Sequence, residues 1–303
     1  MQPRAPIRWF WNAGWLLLSL ASLFWAGNAV VGRAVSESVP PMGLSFWRWV
    51  AAAALLAPLA WPHLKRDWPE LRKAWLVLAA LAAFGLSGFT VLFYLALHST
   101  TAINSVLLQS ATPPLILAFS FLIFRERAGW AQLAGLVVSL AGVAVIVAEG
   151  ELSKLQALRL NLGDGLVMLA VVGYALYSTL LRRAPRVHAL SLLAVLALIS
   201  VTLLAPLYAV EHLRGEVMAP DVPTLASLAY VAIFPSMLSY LFYNRGVELM
   251  GANRAGQFVH LMPAFGAILA VLFLGEALRL FHLAGGVLIG AGIALASRKG
   301  RVS

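Results

Sequence analysis

Ten long apolar runs constrain this chain more than any other feature. They cover residues 14–32, 43–61, 75–97, 102–124, 129–148, 163–181, 189–209, 224–243, 254–274 and 280–297. A helix needs ~20 mostly apolar residues to cross the hydrocarbon core of a bilayer, and each run is close to that length. Inside lipid every backbone N–H and C=O must be bonded internally, which leaves α-helices and closed β-barrels. A barrel would show alternating segments of about ten residues, and none stand out. Ten helices take about 200 residues at ~20 each. The rest of the 303-residue chain makes short loops and leaves no room for a separate soluble domain. Hydrophobic residues make up 61% and charged residues 11%, against roughly 45–50% and about 25% in soluble domains. A soluble enzyme is thereby excluded, and the expected fold is an all-α polytopic membrane protein with ten transmembrane helices.

The first run follows Arg4 and Arg8, as the apolar core of a signal peptide would. It is longer than the roughly 7–15 residues of such a core, and it belongs to the repeat described below. It therefore reads as a retained helix. Cysteine is absent, which removes disulfides, thiolate metal sites and cysteine nucleophiles.

The net charge of +10 could suggest a nucleic-acid partner, but its distribution points elsewhere. With the N-terminus in the cytoplasm, sixteen Lys and Arg fall on cytoplasmic loops, among them Lys65, Arg66, Arg72, Lys73, Arg125, Arg127, Arg182 and Arg183. Five fall outside, at Arg33, Lys154, Arg159, Arg214 and Arg279, and Arg48 lies within a span. Cytoplasmic loops of membrane proteins carry this excess. Both termini are expected in the cytoplasm, and no nucleic acid is expected as a partner.

The chain also repeats itself. Leu92-Phe93-Tyr94 recurs as Leu241-Phe242-Tyr243, Asn104 as Asn253 and Pro114 as Pro263, all at one offset. After one inserted residue, Glu126 matches Glu276, Leu133-Ala134-Gly135 matches Leu283-Ala284-Gly285, and Ala141-Gly142 matches Ala291-Gly292. Residues 14–148 and 163–297 are thus two five-helix copies. Five is odd, so the second copy enters the bilayer upside down. Inverted repeats are common in secondary transporters, with the substrate site near the midplane between them.

Candidate site residues gather on particular helices. Pro113, Pro114 and Pro263 lie mid-span, where proline removes a backbone hydrogen bond; matching breaks in two halves point to a transport site or to a packing kink. Ser105, Gln109 and Thr112 share one helix face, as do Asn253, Gln257 and His260. Such faces either line a cavity or join helices by hydrogen bonds. His260 is a candidate proton carrier or a satisfied core histidine. Arg48 could attract a substrate carboxylate, snorkel, or pair with helix carbonyls. All twelve Asp and Glu fall at span ends or in loops, so a site built here is neutral to slightly positive and suits zwitterions or neutral molecules. Trp25, Tyr94, Tyr174, Tyr177, Tyr240 and Tyr243 could stack on a substrate or hold an ammonium, while Trp9, Trp11, Trp61, Trp68, Trp75 and Trp130 fit an interfacial belt. Gly135/Ser139/Gly142 and Gly286/Gly290 read as close-packing positions on two bracing helices. No Walker, HExxH or GxGxxG element appears, so no cofactor and no metal are expected.

The chain resembles the drug/metabolite transporter superfamily in its EamA branch. The resemblance rests on Ser22-Leu23-Phe24-Trp25-Ala26-Gly27-Asn28, Arg48, Phe93-Tyr94, the stretch from Asn104 to Pro114, Glu126, and Gly135 to Gly142, and it spans about 14–297. More closely, the chain is similar to YddG-type exporters of aromatic amino acids. The second half departs from the first, since Tyr174 and Tyr177 stand where Trp25 and Asn28 stand in the other copy. The resemblance implies an inner-membrane carrier that exports amino acids or related metabolites by alternating access. The direction of transport comes from the resemblance alone. Substrate contacts are expected from Trp25, Asn28, Arg48, Tyr94, Gln109, Thr112, Tyr174, Tyr177, Tyr240, Tyr243, Gln257 and His260. A monomer suffices, and a homodimer is compatible. Export of drugs or nucleotide sugars is the alternative of the same class; a lipid scramblase or intramembrane enzyme is that of another class.

Overall fold

A computed structural model describes residues 5–100, 102–151, 161–274 and 279–297. Arg4, Lys154, Arg159, Glu276, Arg298, Lys299 and Arg301 lie outside them. The described residues are helical throughout their ordered elements. After a short helix, Ala5–Asn12, come α1 (Gly14–Ala34), α2 (Pro41–Lys73), α3 (Trp75–Leu97), α4 (102–124), α5 (Trp130–Val147), α6 (Leu162–Leu180), α7 (Ala189–Leu213), α8 (Val222–Met250), α9 (252–274) and α10 (Leu280–Ser297). Among the described residues, nine helices are long and apolar enough to cross a bilayer. The tenth path, α9, is assembled from Ala252–Gln257, a 3-10 turn Phe258–His260 and Leu261–Leu274. Ten apolar paths in two five-helix halves agree with the sequence reading.

The helices pair across the halves. α1 packs on α8 and α9, α6 packs on α3 and α4, α2 on α7, and α5 on α10. Each contact joins one copy to the other, so the copies share one core. Its largest fully buried side chains include Trp49, Tyr177, Tyr240 and Tyr243. Leu55, Leu76, Val137, Leu203, Ile268 and Val287 are exposed on the outer surface, where a bilayer would cover them.

The α5–α10 pair uses glycines in a different register from the one expected. A Cβ on Gly135 would meet Ala296 N at 2.7 Å, and one on Gly142 would meet Gly285 O at 2.6 Å. The seam is therefore Gly135 and Gly142 against Gly292 and Gly285. A Cβ on Gly286 or Gly290 would meet nothing within 4 Å, so both face away from it. Antiparallel helices meet every second turn, so small residues seven apart form the seam, and the four-residue spacing of Gly286 and Gly290 lies on another face.

α2 runs far beyond the expected end at residue 61. Its 33 residues span ~50 Å at 1.5 Å per residue, against a hydrocarbon core of ~30 Å. α2 and α7 cap one another, once at each end of the pair. Pro41 opens α2, and Pro40 has no side-chain acceptor to offer its first turn. Glu211 near the end of α7 supplies one, accepting from Met42 N at 2.9 Å and Gly43 N at 2.6 Å. At the opposite end Asp67 of α2 accepts from the backbone N–H of His188, the residue that caps α7, at 2.9 Å. The His188 ring stacks on His63 at 3.6 Å between centroids. Burial first, then the neighbouring His63, holds the His188 imidazole below the usual histidine pKa. Its neutral Nδ1 accepts from Leu190 N.

Glu211→Ala strips both acceptors from the first turn of α2 and removes a favourable charge at a helix N-terminus. The expected cost is ~1–2 kcal/mol, seen as a lower thermal midpoint, with Glu211→Gln falling between. An unchanged midpoint in both variants would show that the inter-helix cap contributes nothing.

Candidate functional site

Two backbone irregularities frame the centre of the bundle. α3 contains a π-helical stretch, Ala82–Gly88, and α8 contains another, Ala232–Leu238. They occupy matching places in the two copies. π-segments free carbonyls from the α-helical ladder and often mark functional sites. In α8 the missing N–H of Pro235 leaves Val231 O without its usual donor, and the Ser236 hydroxyl bonds it at 2.6 Å. Aromatic donors reach the two equivalent carbonyls: Trp25 Nε1 donates to Pro235 O at 3.2 Å, and Tyr240 Oη to Gly85 O at 2.5 Å. Gly85 is glycine because a Cβ there would run into the Tyr177 ring.

The helix breaks fall where the prolines predicted trouble. α4 stops at Gln109 and restarts at Thr112, with Pro113 in its first turn. There a proline fits, since first-turn N–H groups have no intrahelical partner. In α9 the 3-10 turn immediately precedes Leu261, two residues before Pro263.

Between these breaks lies a small cavity lined by Trp25 and Asn28 of α1, Phe89 and Phe93 of α3, Gln109 and Thr112 of α4, Tyr174 of α6, Tyr240 of α8, and Val259 and Met262 of α9. Its volume is about 20 Å³, room for about one water. The aromatic walls pack edge to face: Trp25 meets Tyr174 at 5.5 Å and Tyr240 at 6.0 Å, both at 82°. Phe89 meets Tyr174 at 5.4 Å. Tyr174 is 5% exposed, and its hydroxyl interacts with those of Ser178 and Tyr243.

Arg48 stands behind one wall and does not line the cavity. It is 2% exposed. Its Nε donates to Ser236 Oγ at 2.7 Å, and its Nη1 donates to Tyr94 Oη at 2.6 Å and Asn28 Oδ1 at 3.5 Å. Tyr94 Oη in turn donates to Asn28 Oδ1 at 2.9 Å. The guanidinium also lies over the rings of Trp49 and Tyr94, 5.7 Å and 5.5 Å from their centroids. No carboxylate among the described residues pairs with it.

The remaining expected contacts are near the cavity but outside its wall. Tyr243 donates to Ser178 Oγ at 2.9 Å and Tyr177 to Asn244 Oδ1 at 2.5 Å, which makes them a second aromatic layer. His260 is bonded on both nitrogens, Nδ1 with Ser139 Oγ at 2.6 Å and Nε2 with Ser110 O at 3.0 Å. Gln257 Oε1 lies 3.5 Å from the same Ser139 hydroxyl. These two side chains tie α9 to α4 and α5. Phe89, Phe93, Val259 and Met262 were not expected in the wall, because an apolar side chain in an apolar run carries no signal of what it faces. Among the described residues no group of three or more His, Cys, Asp or Glu could hold a metal ion.

The sequence pattern of the EamA-like transporter family matches this chain twice, over residues 12–148 and 161–298. An Archaeoglobus fulgidus protein, described only as an uncharacterized transporter, is 28% identical over 94% of this chain and 97% of its own. A protein of Streptantibioticus cattleyicolor, named a probable terminal-alkyne amino-acid exporter, is 27% identical over 95% and 94%. A solved crystal structure sharing 22% identity superposes with a TM-score of 0.76, covering 94% of this chain and 96% of that one.

Proposed function

The chain belongs to the EamA-like transporter family, within the drug/metabolite transporter superfamily, and on that premise we propose that it exports amino acids, aromatic or apolar ones first, by alternating access. It is a multi-pass membrane transporter and not an enzyme. The proposed location is a bacterial inner membrane with both termini cytoplasmic, which the uneven loop charge supports. The YddG-like specificity and the direction of transport are part of the proposal. The amino-acid exporter among its relatives supports them.

One observation carries the substrate class. The cavity is walled by aromatic rings, two amides and hydroxyls, with a guanidinium behind it and no carboxylate among its lining residues. That chemistry suits a zwitterion with an apolar or aromatic side chain. A cationic drug would call for an acid in the wall, and a nucleotide sugar for more than one cation.

Trp25, Asn28, Gln109, Thr112, Tyr174 and Tyr240 are proposed to touch substrate, with Arg48 and Tyr94 behind Asn28, and Tyr177 and Tyr243 behind the rings. A cavity of about 20 Å³ is far below the ~300–1,000 Å³ of small-molecule pockets. Substrate binding therefore requires the walls to move apart. The breaks ahead of Pro113, Pro114 and Pro263 and the two π-segments are the proposed bending points.

The purified protein in liposomes is expected to give saturable uptake of radiolabelled phenylalanine, tryptophan or leucine, competed by other neutral amino acids. Failure of folded, reconstituted protein to move any of the twenty amino acids would sink the reading.

A further inference from the structure

We propose that Asn28 and Gln109 form an amide pair of opposite polarity that reads the two ends of an α-amino acid: Asn28 donates to the carboxylate and Gln109 accepts from the ammonium. This rests on the amino-acid reading above and assigns a role to each side of the cavity.

The orientation of each amide follows from what its other end faces. A guanidinium can only donate hydrogen bonds, so the Asn28 atom facing Arg48 must be the oxygen. Oδ1 takes the bonds from both Arg48 Nη1 and Tyr94 Oη. The same side chain also lines the cavity, so its remaining polar atom there is Nδ2, a donor. Gln109 is pinned in the opposite sense. Its Nε2 donates to the Ser105 carbonyl at 3.1 Å, and a carbonyl can only accept. The atom left for the cavity that Gln109 lines is Oε1, an acceptor.

Two amides of the same residue class thus present a donor and an acceptor to one space. The surrounding rings of Trp25, Phe89, Phe93 and Tyr240 leave an apolar volume for a side chain.

Arg48 is on this assignment a positioning residue. It holds the Asn28 amide in its donor orientation and adds positive potential behind it, without touching the substrate. A neutral donor backed by a buried cation attracts a carboxylate while remaining compact enough to close.

The test uses full-length protein in nanodiscs and three probes: benzoate, benzylamine and L-phenylalanine. Binding is read by thermal shift, since a ligand stabilises the state it binds. Wild type is expected to bind benzoate and phenylalanine and to bind benzylamine at least tenfold more weakly. Asn28→Asp keeps an acceptor towards Arg48 and Tyr94, so its unliganded midpoint should stay level or rise. It replaces the cavity donor with an anionic oxygen, so benzoate and phenylalanine affinity should fall at least tenfold while benzylamine binding appears. Gln109→Leu should lose phenylalanine affinity and keep that for benzoate. Equal or absent binding of benzoate and benzylamine by wild type overturns the proposal. So does benzoate binding that survives Asn28→Asp, or that falls with phenylalanine binding in Gln109→Leu. The expected binding pattern without phenylalanine flux in liposomes would overturn the transport reading and leave the amide assignment standing.

Discussion

Gly142→Val is expected to abolish accumulation of folded protein. The first atom added, Cβ, would sit 2.6 Å from Gly285 O and 2.8 Å from Ile289 N. Both are backbone atoms of α10, so no side chain can swing away to make room. Relief requires α5 and α10 to separate, and the seam is reciprocal. A Cβ on Gly292 would meet Gly135 O and Ser139 N, each at 2.6 Å. In lipid the helices gain no hydrophobic energy from one another, and close backbone approach through small residues carries the association. Overpacking a core costs typically ~1–3 kcal/mol where side chains can adjust. Here they cannot, and valine adds two methyl groups beyond Cβ. The expected loss is a large share of a total stability of ~5–15 kcal/mol. Gly290→Val is the control, because a Cβ at that position meets nothing within 4 Å. Size-exclusion profiles after detergent extraction should show a folded peak for Gly290→Val and none for Gly142→Val. Similar profiles for the two would refute the assignment of the seam.

This seam also shows what the sequence could carry. The ten apolar runs, the two copies and the close packing of the fifth and tenth helices are all legible, because bilayer thickness and the repeat constrain them over many residues. The choice between Gly285/Gly292 and Gly286/Gly290 is not, since it depends on the rotation of one helix against another. The overhang of α2 past residue 61 is invisible to an apolarity criterion, because it lies beyond the hydrocarbon. Both π-segments escape as well. Nothing in Ala82-Ala83-Phe84-Gly85 announces one, and Pro235 signals only that the ladder is interrupted there.

The candidate site divides the same way. Polar residues in apolar runs declare themselves, which is why Asn28, Gln109, Thr112 and Tyr174 were named and lie together. Their second neighbours do not. Whether Arg48 faces the cavity or stands behind Asn28 turns on an α1–α2–α3 contact that no spacing rule predicts. His260 and Gln257 share a helix face with the right period, yet the break ahead of Pro263 turns them towards Ser139 and Ser110.

Arg48→Gln is expected to lower phenylalanine flux on the order of 100-fold while leaving the fold intact. An arginine buried with no carboxylate partner among the described residues carries a desolvation cost that its removal relieves, and glutamine can still donate to Tyr94 or Asn28. The thermal midpoint should therefore move little. Transport should suffer for a separate reason. Charge-assisted interactions are about twice as strong as neutral ones, and in a cavity closed to water the loss of such potential is expected to reach ~2–3 kcal/mol, at about 1.4 kcal/mol per factor of ten. Lysine restores the charge but not the fork that reaches Ser236, Tyr94 and Asn28 together, so Arg48→Lys should recover part of the flux. A merely structural arginine would affect every substrate alike. A positioning arginine acts on the carboxylate, so the ratio of kcat/KM for phenylalanine over phenylalaninamide should fall in Arg48→Gln, mainly through a raised KM for phenylalanine. An unchanged ratio with a lowered midpoint would make Arg48 a packing residue. Wild-type flux in Arg48→Gln would remove it from the site altogether.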